Sequence, residues 1–483
     1  MSPLLRKPWP ALPLVALFAL SRQAVSQTDL AKTDHQIFQE IRDHNQIMSN
    51  LEHLSDTIGP RLTGSPALDS AADWAASLSR QYQLQNVHLE KWTISHSWQR
   101  GPASARIVSP ISRQITIASA GWTPGTKGQV TGPVISISPS NPAELQQLHG
   151  KLKGAFVILH APSDMNWQLP MQIPEDRSPL IQPPVSWEAQ HQDANAEFRA
   201  QRLAFLADEG ALAIVQDSDK TWGLLNMSTL RPGYDPAPLP SVYLTHEDFL
   251  LIWRLMQKGP VNLEMNISNT FSEASREVSN VVAEIPGAVH PDELVIICAH
   301  LDSWDLGTGA TDDGAGVVAV LEAARALQAL HLRPDRTIRL ILFTGEEQGG
   351  LGSQAYVKSH ASELSKISAV LDDDTAASRI DTLRLNQAYA ARRDVDLTLA
   401  PMSELQLLAP HMDRGFGSDY ASFNAVGIPA FAAISGQSAY FRVHHSQADT
   451  FDKIQPEGPI SAAEVLAAWA YNTSQLPEML PRN

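Results

Sequence analysis

Apolar and polar residues follow two different periods along the chain, and these periods separate helical from extended segments. Residues 29–58 carry apolar side chains at helical spacing, and a second helix is predicted over 66–83. The stretch from Gly59 to Ser65 between them is rich in turn residues. Segments near 87–98 and 103–118 alternate residue by residue, which predicts strands.

The middle of the chain has a different pattern, in which short strands outnumber helices. Strands are predicted over 128–136, 154–159 and 211–215, and helices over 186–209 and 246–257. Clustered prolines across 162–184 predict an irregular loop. We interpret residues 119–271 as an inserted, mostly-β domain.

From Ser279 onward the pattern becomes strand–helix–strand–helix. Apolar runs predict strands over 281–285, 294–299, 337–343 and 367–371, and a buried helix over 314–330. This alternation is typical of an α/β sheet with helices on its faces. The predicted order is therefore a first part over 27–118, the insert, and a second part of the same α/β domain over 272–483.

The amino terminus has the features of a secretory signal. Arg6 and Lys7 precede an apolar stretch from Pro10 to Leu20 that is too short to span a membrane. Ala24-Val25-Ser26 offers small residues for cleavage between Ser26 and Gln27, which predicts a signal peptide over 1–26 and a secreted or periplasmic protein. An uncleaved anchor is the alternative, which the short apolar core disfavours. No membrane span is predicted further along the chain.

Charge and cysteine content exclude several classes of protein. The formal net charge of −16 and the absence of a basic run argue against nucleic acid as a partner. Cys298 is the single cysteine, so an internal disulfide framework is excluded, and this thiol is predicted to be a buried core residue.

Candidate reactive groups stand where predicted strands end, or in a late loop. They are His300-Leu301-Asp302, Asp312-Asp313, Glu346-Glu347, Asp372-Asp373-Asp374 and His444-His445. Reactive side chains in open α/β sheets lie at the carboxyl ends of strands. Imidazole and carboxylate ligands without thiolate favour a catalytic zinc site, and there are enough ligands here for two ions. The adjacent Glu346 and Glu347 can supply one general base and one ligand.

Each group has an ordinary explanation when it is taken alone. A His-x-Asp sequence is usually a loop or a core hydrogen bond, and a Glu-Glu pair is usually surface charge. Asp312-Asp313-Gly314 fits a helix N-cap, and Asp372 to Asp374 fits an acidic turn. Their occurrence in order at successive strand ends favours a metal site.

The same groups, with their flanking residues, resemble the di-zinc aminopeptidase and glutamate carboxypeptidase family. The motifs that carry the resemblance are Gly59 to Ser65, Ser279 to Glu284, His300 to Asp305, Gly309 to Gly316, Glu346 to Gly352, Gly417-Ser418-Asp419 and His444 to Thr450. The resemblance covers essentially the whole mature chain. It implies a zinc-exopeptidase mixed β-sheet flanked by helices, with an inserted mostly-β domain similar to protease-associated domains.

Carried over to matching positions, the resemblance implies a role for each residue of the centre. Asp312 bridges two Zn²⁺ ions, His300 and Asp374 complete one site, and Glu347 and His445 complete the other. Glu346 is the general base and His444 an oxyanion stabiliser. Asp302 fixes the His300 ring, and Asp313 supports the centre and follows Asp312 through a cis peptide bond.

Two positions leave alternatives open. Asp372 is a rival to Asp374 as the ligand, because residues two apart face the same side of a strand whereas Asp373 faces away. Tyr420 stands where the family often has histidine.

The activity implied by the resemblance is that of a secreted di-zinc exopeptidase acting on short peptides. Trp304-Asp305, His444-His445 and Glu478 to Arg482 are similar to a dipeptidase branch of the family. An aminopeptidase for longer peptides is the first alternative, and a non-catalytic receptor-like ectodomain is the second, which the retained ligands disfavour. A homodimer is expected from the resemblance.

Overall fold

The structure is a computed structural model. The structure describes residues 26–163, 196–230, 233–415, 417–436 and 438–483. The predicted signal peptide, apart from Ser26, and most of the predicted proline-rich loop lie outside these residues. The amino-terminal part of the helix predicted over 186–209 also lies outside them.

Two large sheets and one short strand pair organise the described residues. In chain order the strands are β1 (Gln85–Ile94), β2 (Trp98–Gln99), β3 (Ala103–Ser109), β4 (Arg113–Ile115), β5 (Ile117–Ser119), β6 (Val130–Ser136), β7 (Phe156–Ile158), β8 (Ala213–Asp217), β9 (Ser241–Leu244), β10 (Asn262–Ile267), β11 (Thr270–Phe271), β12 (Arg276–Ile285), β13 (His290–His300), β14 (Arg336–Phe343), β15 (Ile367–Asp372), β16 (Ile380–Arg384) and β17 (Ala430–Ser435). The strands predicted from residue 279 onward agree with β12 to β15 within a few residues.

The first sheet is mixed and has the order β1-β12-β14-β13-β15-β17-β16. Strands β14, β13, β15 and β17 run parallel, while β1, β12 and β16 pair antiparallel with their neighbours. Parallel strands covered on both faces are apolar along their length, and Leu294 to Ala299 in β13 are all buried. The parallel strands bring four carboxyl ends to one edge of the sheet.

Helices cover both faces of this sheet. The α-helices of the described residues are Gln27–His44, Ile47–Glu52, Pro66–Gln81, Pro142–Gln146, Ala196–Asp208, His246–Met256, Ala315–Ala329, Leu351–Ser359, Arg392–Leu399, Tyr420–Asn424, Ser438–Val443 and Glu457–Ser474. Val281 and Ala283 face the larger core with the helix Ala315–Ala329, while Val282 faces the opposite core with Cys298 and Phe423. The predicted α/β sheet flanked by helices is confirmed, and Cys298 is buried as predicted.

Local sequence explains where the amino-terminal helices begin and end. Ser65 caps the helix Pro66–Gln81 by accepting a hydrogen bond from the backbone N–H of Leu68 at 3.2 Å, and proline occupies the first helical position. The periodic stretch predicted over 29–58 is interrupted at Asn45-Gln46 and ends in a π-helical turn at His53–Ile58.

The second sheet has eight strands in the order β4-β3-β10-β6-β7-β8-β9-β5. Its central strands β6 to β9 run parallel. The single strand predicted over 103–118 is instead three strands, β3 to β5, and all three belong to this sheet. The sheet therefore begins before residue 119, although the boundaries 119 and 271 and the protease-associated likeness stay predictions.

The chain passes between the sheets at one place. Strand β2 leads into the second sheet and β11 leads out of it, and the two pair antiparallel through Trp98 and Phe271. Adjacent entry and exit segments are typical of an inserted unit. Among the described helices, none is long and apolar enough to cross a membrane.

Candidate metal centre

The carboxyl edge of the parallel strands collects the candidate groups. His300 ends β13, Glu346 and Glu347 follow β14, and Asp374 follows β15. The helix Ser438–Val443 follows β17 and leads directly into His445. The edge therefore receives side chains from segments that lie up to 145 residues apart, from His300 to His445.

A first group joins His300, Asp312 and Asp374. His300 Nε2 lies 3.2 Å from Asp312 Oδ1 and 3.3 Å from Asp374 Oδ1. His300 and Asp312 are buried, and the Asp374 side chain is 21% exposed, which leaves an opening toward solvent. One donor atom from each residue lies within 4.8 Å of the other two, which is the spacing of a metal-ligand set.

A second group shares Asp312 with the first. His445 Nε2 lies 3.3 Å from Asp312 Oδ2 and 2.9 Å from Glu347 Oε2. Asp312 thus turns a different oxygen toward each histidine. This arrangement brings together all five residues that were predicted as ligands from the sequence, although their roles stay predictions.

Hydrogen bonds do not satisfy the buried carboxylate oxygens of the second group. Asp312 Oδ2 and both carboxylate oxygens of Glu347 are buried and make no hydrogen bond, although His445 Nε2 is close to them. Two donors bound tetrahedrally to Zn²⁺ at about 2.0–2.1 Å lie about 3.3 Å apart, which is close to the observed spacing. Carboxylate oxygens are costly to bury without a partner, and a zinc ion would be that partner. The residues present therefore fit zinc.

Electrostatics within the centre follow from burial and close charges. Burial opposes the charged form of Asp312, but the imidazoles of His300 and His445 hold the pKa of this carboxyl well below its usual value. Burial, and then the negative charge of Asp312, raises the pKa of Glu347 to about 8. A cation placed between these carboxylates would relieve the repulsion.

Glu346 stands beside the ligands without belonging to either group. Its backbone N–H donates to Asp302 Oδ1 at 3.2 Å, which fixes the turn after β14. Burial raises the pKa of the Glu346 carboxyl well above its usual value, and the charges of Asp374 and Asp419 add to this effect while His300 opposes it. A raised carboxyl pKa is the property expected of a general base or acid working near neutral pH.

Asp302 and Asp313 support the centre through backbone groups. His300 Nδ1 lies 3.0 Å from the carbonyl oxygen of Asp302, whereas the Asp302 carboxylate is 3.7 Å away and accepts from Thr63 Oγ1 at 2.8 Å. The Asp302 carbonyl, rather than its carboxylate, therefore makes the closest contact with this ring nitrogen. Asp313 accepts from the backbone N–H groups of His300 and Gly316, and the Asp312–Asp313 peptide bond is cis.

The three consecutive aspartates make different contacts. Asp374 approaches His300, whereas Asp372 Oδ2 accepts from the backbone N–H of Tyr420 at 3.2 Å and its Oδ1 contacts Cys298 Sγ at 3.4 Å. Asp373 accepts from the backbone N–H of Thr375. These contacts hold Asp372 and Asp373 in β15 and the turn that follows it. Asp374 is the next residue and approaches His300, so the geometry favours Asp374 over Asp372 as the ligand.

His444 lies against the second ligand group. Its ring is 4.7 Å from that of His445 and stacks on Tyr440 at 5.0 Å, and its Nδ1 is buried without a hydrogen-bond partner. Burial, followed by the positive charge of Lys220, holds the pKa of His444 well below its usual value. The ring is therefore neutral at neutral pH and keeps one N–H to donate.

Tyr440 and Asp449 belong to the site, yet the sequence assigned them no role. Tyr440 donates its hydroxyl to Asp374 Oδ1 at 3.2 Å. Asp449 accepts from the backbone N–H groups of Thr311 and Asp312 at 2.6 and 3.2 Å. Asp449 falls within a motif that carried the family resemblance, so a signal was present, whereas nothing in the pattern around Tyr440 marked it.

Arg61 is a third residue without an assigned role, and it holds the loop that follows β13. It is fully buried and donates from Nε and both terminal nitrogens to the carbonyl oxygens of Leu301, Thr308 and Gly309. This cation therefore shapes the backbone of the loop between His300 and Asp312. Its motif, Gly59 to Ser65, also carried the resemblance.

The mixed sheet with histidine–carboxylate groups at its carboxyl edge, together with the family match and the relatives that follow, identifies the chain as a zinc metallopeptidase. The model for peptidase family M28 matches residues 280–470. Carboxypeptidase Q of Mus musculus is 31% identical over 448 residues, which cover 91% of this chain and 88% of the mouse protein. The chain belongs to peptidase family M28.

Solved structures agree with this placement. A peptidase M28 precursor from Shewanella amazonensis SB2B is similar with a TM-score of 0.79 and 27% identity, covering 94% of this chain and 99% of that one. A zinc aminopeptidase from Bacillus subtilis shares the fold with a TM-score of 0.62 and 19% identity, covering 88% and 93%. The predicted family, fold class and enzyme class are therefore confirmed.

Proposed function

We propose that this chain is an exported di-zinc exopeptidase that hydrolyses short peptides, most of all dipeptides. The observation that carries the proposal is the placement of Asp312, whose two oxygens face His300 and His445 at 3.2 and 3.3 Å. Two ligand groups that share one carboxylate suit two ions about 3.5–4 Å apart. Similarity to carboxypeptidase Q over most of both chains supports carboxypeptidase specificity. The preference for dipeptides rests on the likeness of Trp304-Asp305 and His444-His445 to a dipeptidase branch of the family.

The chain's own residues supply the proton transfers in this proposal. Zinc, when held by the two groups, would lower the pKa of water and polarise the scissile carbonyl. Glu346 takes one proton from the attacking water while the water oxygen forms a bond to the carbonyl carbon. Glu346 then delivers this proton to the leaving nitrogen as the peptide C–N bond breaks, which yields a carboxylic acid and an amine. The second water proton then passes from the acid to the amine, so that the products leave as a carboxylate and an ammonium group.

His444 is proposed to stabilise the negative charge that develops on the carbonyl oxygen. A neutral imidazole donates through one N–H, and the low pKa of His444 keeps the ring in that form. Its contact with His445 places it beside the second ligand group. The motif comparison suggests the same role.

Export and self-association complete the proposal. The signal features of residues 1–26 support secretion or passage to the periplasm, with cleavage near Ser26/Gln27. The family resemblance alone supports a homodimer. Sequencing of the mature amino terminus and light scattering of the purified protein test these two statements.

Metal analysis combined with a peptide panel tests the central proposal. We expect two zinc ions per purified chain, loss of activity after chelation, and recovery when zinc is restored. We also expect dipeptides to be cleaved far faster than tetrapeptides or longer chains. One zinc per chain would contradict the two-ion site, and efficient release of amino-terminal residues from long peptides would favour an aminopeptidase instead.

A further inference from the structure

Backbone hydrogen bonds within the turn after β14 determine where Glu346 lies. The carbonyl oxygen of Glu346 accepts from the backbone N–H groups of Gly349 and Gly350 at 2.8 and 2.9 Å. These bonds close a turn in which Glu347 and Gln348 are the two central residues. A shift of Gln348 would therefore move Glu346, which stands at the start of the same turn.

The connection between β8 and β9 of the second sheet holds Gln348. The backbone N–H of Gly233 donates to the Gln348 carbonyl oxygen at 2.9 Å, and the Tyr234 hydroxyl donates to Gln348 Oε1 at 3.1 Å. Within the described residues, Gln348 Nε2 is buried and makes no hydrogen bond, so the Tyr234 hydroxyl orients this side-chain amide. Two consecutive residues of the connection therefore hold one central residue of the turn.

The Tyr234 hydroxyl also lies against the backbone of the turn. A Cβ atom at Gly345 would overlap this hydroxyl and would come within 2.8 Å of Trp92 Cη2. Gly345 has a φ of +83°, a left-handed conformation that favours glycine. Trp92 Nε1 also donates to Thr344 Oγ1 at 3.0 Å. The backbone just before Glu346 is therefore packed against two aromatic side chains and has no room to move toward them.

Neighbouring aromatic rings fix the position of the Tyr234 side chain. Its ring centroid lies 5.2 Å from that of Trp122, in an edge-to-face arrangement, and 5.8 Å from that of Trp92. Both indoles are held by hydrogen bonds of their own. Burial, and then the charge of Asp302, raises the pKa of the Tyr234 hydroxyl well above its usual value, so this hydroxyl stays protonated and donates. A buried ring in close-packed surroundings gives its hydroxyl a defined place.

We propose that Tyr234 is a positioning residue that holds the Glu346 carboxylate where it can take a proton from the attacking water. Tyr234 acts through Gln348 and Gly345 and takes no part in the proton transfer itself. This inference rests on the proposed peptidase function, and it gives the second sheet a part in the catalytic step. A general base must lie within hydrogen-bond reach of the proton that it takes, and a misplacement of about 1 Å can lower the rate about 100-fold.

Removal of the hydroxyl tests the proposal. For Tyr234→Phe we expect kcat for a dipeptide to fall roughly 10- to 100-fold, while KM and zinc content stay at their wild-type values. Tyr82→Phe is the matched control, because the Tyr82 hydroxyl also donates to a glutamine side chain, at 3.0 Å to Oε1 of Gln46 between two amino-terminal helices. An equal fall in kcat for Tyr82→Phe would overturn the proposal, because a general loss of stability would then explain both results.

A double variant separates positioning from the pairing of a buried amide. Tyr234→Phe leaves Gln348 Oε1 without its donor, which lowers stability whether or not the turn moves. Adding Gln348→Met removes both partners, so the urea midpoint of unfolding should return toward the wild-type value. We expect kcat to stay low, because the contact of the hydroxyl with the turn is still absent. Recovery of kcat together with stability would overturn the positioning role.

Hydrogen exchange measured without substrate separates this inference from the proposed function. In zinc-loaded Tyr234→Phe, the amides of residues 344–351 should exchange several-fold faster than in the wild type, and Tyr82→Phe should leave them unchanged. Unchanged exchange in Tyr234→Phe, or faster exchange with an unchanged kcat, would contradict the role of Tyr234. Zinc-loaded wild-type protein that cleaves no dipeptide would instead overturn the proposed function.

Discussion

The backbone N–H of Met227 donates a 2.8 Å hydrogen bond to the carbonyl oxygen of His445. The segment that connects β8 and β9 of the second sheet therefore contacts a proposed metal ligand at the edge of the first sheet. Arg100 strengthens this junction, because it pairs with Asp305 at 2.8 Å and contacts Met227 Sδ at 3.1 Å. The two sheets together, rather than the first one alone, hold the loop that carries His445.

Breaking the Arg100–Asp305 pair should loosen the junction. The two side chains are only 12% and 17% exposed, so Arg100→Ala leaves a partly buried charge without its partner. We expect the free energy of unfolding of the zinc-loaded protein to fall by about 3 kcal/mol, measured by urea titration. Arg106→Ala, at an exposed arginine of β3, is the control. A double-mutant cycle with Asp305→Ala that shows no coupling would contradict the importance of the pair.

The adjacent glutamates should separate catalysis from metal binding. Glu346→Gln removes the proposed general base but no ligand, so we expect kcat to fall by about 10²- to 10⁴-fold while zinc content stays at the wild-type value. Glu347→Gln should lose zinc as well as activity, because Glu347 contacts His445 Nε2. Metal analysis and kinetics on the same preparations decide the matter. Near-normal turnover by Glu346→Gln would remove this residue from the mechanism.

The aspartates after β15 offer a second matched pair. Asp374→Asn should weaken zinc binding by more than the roughly 10- to 100-fold that loss of an outer partner costs. Asp372→Asn should have a smaller effect, because an amide oxygen can still accept from the Tyr420 N–H. Zinc affinity measured by competition with a chelating dye checks both variants. The reverse order of effects would make Asp372 the ligand.

Asp34 should give the folded protein a pH-dependent stability. Burial raises its pKa to about 7, while its hydrogen bond from Asn472 at 2.9 Å acts in the opposite direction. Between about pH 4 and 7 the folded protein keeps a proton that the unfolded chain releases, so this group's contribution to stability falls as pH rises and levels off above 7. The total change is on the order of 4 kcal/mol.

The variant Asp34→Asn has no carboxyl to ionise at this position. We therefore expect its unfolding free energy to vary less between pH 4 and 8 than that of the wild type, and to be higher at pH 8. Urea titrations at several pH values provide the comparison. Parallel pH profiles for the two proteins would show that Asp34 ionises normally in the folded state.

Much of the catalytic sheet could be predicted from the sequence alone. Buried parallel strands are short, apolar and bounded by turn residues, so β13, β14 and β15 were recognisable without a structure. The rule that reactive groups follow such strands then identified His300, Glu346, Glu347 and the three aspartates. These predictions depend on local spacing, which the sequence displays directly.

The second sheet was harder to predict. The alternation over 103–118 indicates extended backbone, but it does not say which sheet the strands join. Pairing of β3 with β10 joins residues about 150 positions apart, and nothing in either segment specifies its partner. The packing of the two hydrophobic cores decides which sheet each strand joins.

The details of the centre depended on tertiary structure for the same reason. The sequence determined which residue types stand at the strand ends, and these imidazoles and carboxylates predict a zinc site there. The choice between Asp372 and Asp374 and the contact of His300 with the carbonyl of Asp302 required the tertiary structure. Each of these depends on the direction of a side chain or on a contact between distant segments, which packing decides and local periodicity does not record.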